Sequence, residues 1–94
     1  MKTNFDFSRP RPAWTIYAQT YDVDAEHWRP SVVLFVVGSG DEEVKEQALT
    51  EEVNSRKDWT LVEEKRDERL LLFNGSRNRY GKIFAVQTTI YEVI

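Results

Sequence analysis

Strand-like patterning runs through most of this chain and leaves room for a single helix. Ala13 to Tyr21 alternates, with Trp14, Ile16 and Ala18 on one face and Thr15, Tyr17, Gln19 and Tyr21 on the other. Ser31 to Val37 holds the continuous run Val-Val-Leu-Phe-Val-Val. A run of that kind predicts burial on both faces and a central place in a sheet. Trp59 to Glu64 and Arg69 to Phe73 are two further strands, separated by the charged tip Lys65-Arg66-Asp67-Glu68, a spacing that suits an antiparallel hairpin. Lys82 to Val93 is a long final strand with apolar groups on both faces, Phe84, Val86 and Ile90 alternating with Ile83, Ala85 and Tyr91.

The helix falls between the second and third strands. Gly38-Ser39-Gly40 ends a strand, and Ser39 with Glu42 matches the capping box, which predicts a helix over 41–55 with Ser39 as its cap. Acids in the first turn suit the positive end of the helix dipole. Val44, Ala48, Leu49 and Val53 are its apolar set, interrupted by Lys45 and Glu52. The expectation is an α+β fold of order β-β-α-β-β-β: a mostly antiparallel five-stranded sheet with one helix packed on one face. Ninety-four residues make one domain with a modest core. Residues 1–12 read as an N-terminal arm, because Pro10 and Pro12 exclude a helix interior or a central strand. Residues 13–94 then form the domain. Its expected core is Trp14, Phe35, Trp59, Leu71 and Phe84.

Composition removes several chemistries. There is no cysteine, hence no disulfide framework, thiolate metal site or thiol nucleophile; with no apolar leader at the N-terminus, the expected location is the cytoplasm. The longest apolar run, Val32 to Val37, is far too short to span a bilayer.

Charge is segregated. Residues 39–64 carry nine acids and three bases, and residues 65–94 carry six bases and three acids, inside a net charge of −3. Such segregation selects partners by sign. The acidic helix, with Glu42, Glu43, Glu46 and Glu51, joined by Glu63 and the half-wet Tyr17 and Tyr21, is the leading candidate surface. It would dock on a larger protein with a basic surface, and in its sharpest form would inhibit that protein by imitating nucleic acid.

The first alternative is nucleic-acid binding. The loop Asn74 to Lys82 offers Arg77, Arg79, Tyr80 and Lys82, and the arm adds Arg9 and Arg11. Arginines hold phosphates and a tyrosine stacks on a base, although a pI near 5.1 opposes a dedicated nucleic-acid binder. The second alternative is a small metal-dependent enzyme around Asp22, Asp24, Glu26 and His27. Its spacing resembles the start of a calcium loop but lacks the glycine at position six and the glutamate at position twelve. Gly38-Ser39-Gly40 could cradle a phosphate at a helix start, but Asp41, Glu42 and Glu43 fill that place with negative charge. The leading reading is therefore non-enzymatic, with no cofactor and no metal.

Overall fold

A computed structural model describes residues 4–75 and 79–93. It contains β1 (Phe5–Asp22), β2 (His27–Trp28), β3 (Val32–Val37), α1 (Glu42–Asn54), β4 (Trp59–Lys65), β5 (Glu68–Phe73) and β6 (Tyr80–Val93). The α+β class holds: one helix lies on a six-stranded antiparallel sheet, one strand more than the sequence predicts. The additional strand is the two-residue β2, which closes a turn back onto Tyr21 and Asp22.

The sheet order is β2-β1-β6-β5-β4, with β3 also paired to β1. The first and last strands of the chain are therefore neighbours at its centre. Their pairing runs from Phe5 opposite Val93 to Thr20 opposite Gly81. Beyond the reach of β3 and β5 it continues as a two-stranded ribbon. The molecule is accordingly long, 50 × 29 × 19 Å, with a radius of gyration of 15.9 Å against about 12 Å for a compact chain of this length.

The segment read as an arm is the first half of β1. Residues 5–12 pair with β6 alone among the described residues, so one of their edges is open, and an open edge is where a strand accepts proline. A bulge between Asp6 and Pro10 carries Phe7 outward; its ring packs edge-on against Tyr91 with centroids 5.0 Å apart.

The helix covers one face. Trp14, Ile16, Leu49, Leu71, Ile83 and Ala85 form the buried core, with Ala48, Val53 and Trp59 packed against it. Gly81 leaves room for the Trp59 ring, which would lie 3.1 Å from a Cβ placed there. Gly40 permits the chain entering α1 to cross Pro12, whose Cβ would stand 2.6 Å from an added Cβ.

Three expectations are corrected. β3 is an edge strand, not a central one: it pairs only with β1, and Val32, Val33, Phe35 and Val36 are exposed. β1 and β6, which are longer and pair with each other along most of their length, take the centre instead. Phe35 is consequently 37% exposed, and Phe84 lies on the opposite sheet face from Ile83, stacked on Tyr17 at 5.2 Å, so neither belongs to the core cluster. The helix cap is Asp41, whose Oδ1 accepts from the backbone N–H of Glu43 at 2.8 Å. Ser39 instead accepts from Asp41 N–H at 3.2 Å. A carboxylate is the stronger acceptor at the positive helix end, and Glu42 is drawn away by two cations.

Two stability predictions follow from these placements. Ile16→Ala should cost ~2–5 kcal/mol and exceed the cost of Phe35→Ala, as measured by denaturant unfolding. Asp41→Ala should cost ~1 kcal/mol and Ser39→Ala less. The reverse order in either pair would contradict the assignment.

Candidate functional site: two sheet faces with different chemistry

The two faces of the sheet separate residues that the sequence suggests act together. Trp14, Ile16 and Ala18 face the helix, while Thr15, Tyr17, Gln19 and Tyr21 face away from it, as alternation predicts. The expected binding surface combined the helix acids with Tyr17 and Tyr21. The fold instead puts them on opposite sides of the sheet. Glu63 is opposite Leu70, on the tyrosine side, and its carboxylate lies 3.6 Å from Lys65.

On the covered side the acids are engaged within the chain. Lys45 is fully buried, and its ammonium donates to Glu42 and Asp67, 4.9 Å from the centre of the Trp14 ring. Arg66 binds the other oxygen of Glu42 at 2.9 Å. Arg69, also buried, donates to Glu46 and lies 3.3 Å from Glu64. These contacts explain why a lysine interrupts the apolar stripe of the helix: its stem fills the core and its charge meets carboxylates at the rim. Burial pushes the Lys45 ammonium down, but hydrogen bonds to Asp67 and Glu42 outweigh it, and its pKa stands above the ordinary lysine value. Hydrogen bonds from Lys45 and then Arg66 hold the Glu42 carboxyl below the usual glutamate range, and Glu42 in turn raises Arg66. Glu43 and Glu51 remain exposed, the latter accepting from Gln47 at 3.2 Å.

On the uncovered side the strands bring apolar and aromatic groups together. Val36 and Val86 flank Thr15 across β3-β1-β6, and Val33 and Phe84 flank Tyr17 in the same way. Val33, Val36 and Val86 are 55%, 50% and 44% exposed. Tyr17 and Phe84 stack with an interplanar angle of 11°, and Tyr21 meets Trp28 edge-on at 5.4 Å. Lys82 joins the two groups: its ammonium lies 4.5 Å from the Trp28 ring centre, 5.7 Å from that of Phe84 and 3.1 Å from Glu68. Beside it is a shallow cavity of about 190 Å³ lined by Trp28, Glu63, Lys65, Glu68, Leu70 and Lys82. Sequence reasoning passed over Trp28, Val33, Val36, Phe84 and Val86 as site residues. The signal was present in β6, where both faces are apolar but one helix can cover only one.

The nucleic-acid constellation divides. Arg9 and Arg11 sit on the ribbon, 3.6 Å from Asp6 and 3.1 Å from Glu92 respectively. Lys82 is level with Gln19 and Arg11 with Ile90, a separation of roughly 26 Å along the strand. Arg79 lies over Phe73 and Trp59, at 4.9 and 5.9 Å, and Tyr80 opposes Leu72. Arg77 lies outside the described residues.

The metal constellation is a structured turn. Asp22 Oδ1 accepts from Ala25 N–H at 3.2 Å and its Oδ2 accepts from Arg29 at 3.2 Å. The backbone bond from Ala25 is the main cause of its lowered pKa, opposed by desolvation and reinforced by Arg29. Glu26 takes the left-handed conformation, φ 57°, and His27 Nδ1 is 3.2 Å from the Ala25 carbonyl. Asp24, Glu26 and His27 are exposed. Among the described residues no three His, Cys, Asp or Glu side chains converge as metal ligands, and no helix is long and apolar enough to cross a membrane.

No protein-family model, curated protein or solved structure matches the chain.

The ionic network predicts an asymmetry. Glu42→Gln with Asp67→Asn leaves the buried ammonium with Glu46 alone, 3.5 Å away, and should lower the unfolding midpoint; Lys45→Met fills the same space without charge and should lower it less. The pH dependence has a definite sign. Glu42, with its pKa lowered on folding, contributes stability that is present above the ordinary glutamate value of 4.5 and lost as pH falls through the lower folded value. Lys45, with its pKa raised, contributes stability present below 10.5 and lost as pH rises through the higher folded value. Thermal midpoints across pH should fall on both sides, and Lys45→Met should flatten the alkaline limb.

Proposed function

We propose that the protein is a non-enzymatic binding module that docks on another protein through the uncovered sheet face. The observation that carries this reading is the half-exposed apolar row Val33, Val36 and Val86 around the stacked Tyr17 and Phe84. A sheet with an apolar second face is the arrangement that a further layer covers, and exposed apolar patches mark interaction sites. Aromatic groups at the centre with charges at the margin also match the composition of protein interfaces. The charges bordering this face are mixed, with Lys65 and Lys82 beside Glu63 and Glu68, so a protein surface fits better than a phosphate backbone.

Docking by the acidic helix ranks second. Glu42 and Glu46 bind Lys45, Arg66 and Arg69, which weakens the negative field offered to a basic partner and, with it, imitation of nucleic acid. Glu43 and Glu51 are the acids left to that reading.

Photo-crosslinking residues placed at Val86, on the uncovered face, and at Glu43, on the helix, distinguish the two in cells that express the protein. The expected result is a discrete adduct from position 86 and none from 43. Adducts from 43 alone would favour the helix. Retention of oligonucleotides at low salt, weakened about tenfold by Lys82→Gln, would favour nucleic acid.

A further inference from the structure

We propose that β3 is the interface of a two-fold homodimer, formed by antiparallel pairing of the strand with the same strand of a second copy. Several strand edges are open among the described residues. β2 has only two residues, and β6 beyond Phe84 presents Gln87, Thr88, Thr89 and Glu92 among its apolar groups. Two longer edges are guarded. Residues 5–12 of β1 carry Pro10 and Pro12 with Arg9 and Arg11, and β4 carries the exposed Glu63, Glu64 and Lys65. Proline and charge are the usual protections of an edge against pairing. β3 has neither: Val32 to Val37 is six residues without charge or proline, and Val32, Val33, Phe35 and Val36 are exposed.

The geometry of β3 selects a second copy as the occupant. Its register with β1 has an extra residue, Leu34, between Val33 opposite Tyr17 and Phe35 opposite Ile16. Val32, Phe35 and Val37 lie opposite Ala18, Ile16 and Trp14, on the helix side, and Leu34 packs against the core on that side. Val33 and Val36 lie opposite Tyr17 and Thr15, on the uncovered side. Read from either end, the strand presents the same succession of faces. A two-fold axis between Leu34 and Phe35 therefore sets Val33 against Val36 of the partner subunit and Val32 against Val37 of the partner subunit, with every pair on one face. A regular strand cannot pair with itself about such a centre, because a shift of one residue exchanges the faces; the bulge restores the match. An isologous interface requires this self-complementarity, and the side chains it joins, Val with Val and Leu with Phe, are apolar throughout. A charged or irregular foreign strand gains nothing from the palindrome.

Sedimentation velocity and light scattering on the full chain, from about 1 to 200 μM, test the proposal over the range where weak dimers dissociate. The expected species at high concentration has twice the 11.1 kDa chain mass. Val33→Lys with Val36→Lys should place four ammonium groups at the interface and raise the dissociation constant at least about tenfold. Val33→Lys with Val36→Glu should restore the dimer, since each lysine then faces a glutamate of the partner subunit. Both sites are half exposed in one copy, so the unfolding midpoints of the variants should show that they remain folded. Val86→Lys, on the uncovered face but separated from β3 by β1, should leave dimerisation unchanged. A monomer at every concentration, a Lys/Glu variant no better than Lys/Lys, or a dimer lost in Val86→Lys would each overturn the proposal. The first two outcomes leave docking by the uncovered face intact, so the two readings fail separately.

Discussion

The pairing of β1 with β6 is the constraint on which the rest of this molecule depends. It joins the two ends of the chain along 13 registered positions, and each other element is placed relative to it. β3 and β5 flank it, β4 extends β5, and the helix crosses the face that Trp14, Ile16, Ile83 and Ala85 share. Because the partners are distant in sequence, this contact carries a large loop-closure cost. Alternating apolar groups on both strands repay that cost through burial.

The helix is then fixed by two kinds of force. Leu49, with Ala48 and Val53 beside it, supplies apolar contact. A narrow apolar stripe on a 13-residue helix is weak by itself, and the rim of carboxylates around Lys45 and Arg69 adds position: Lys45 reaches from the helix to Asp67 in the β4–β5 turn, and Arg69 reaches from β5 to Glu46 on the helix and Glu64 on β4. Such networks contribute more to register than to net stability. The same network draws acids of the charged middle segment onto basic residues of the sheet hairpin, so charge segregated in the sequence is partly paired in space. With the helix held on one face, the other face is left to Tyr17, Phe84 and the three valines.

Much of this was legible in the sequence, residue by residue. The faces of Ala13 to Tyr21, the β4-β5 hairpin and the single helix follow from periodicity. The position of β3 did not follow, because six apolar residues look the same at a buried centre and at an edge awaiting a partner. The cap also escaped: Ser39 and Asp41 are both good acceptors, and only three-dimensional competition for Glu42 separates them. The division of the acidic helix from Tyr17 and Tyr21 depends on which side of the sheet the helix takes, which no local pattern encodes. The aromatic constellation of Trp28, Lys82 and Phe84 joins a turn to the final strand, and its spacing in sequence carries no signal. Asp22 illustrates the opposite hazard, a carboxylate that resembles a ligand and serves a turn.

The central claim is that one face of the sheet is open, apolar and ordered. Paramagnetic relaxation of methyl protons by a soluble gadolinium chelate, at concentrations where the chain is monomeric, tests it most directly. The account predicts strong relaxation at Val33, Val36 and Val86 and weak relaxation at Ile16, Leu49, Leu71 and Ile83, in keeping with their exposure and burial. Protection of the three valines equal to that of the core methyls would contradict it, because that face would then already be covered within the chain.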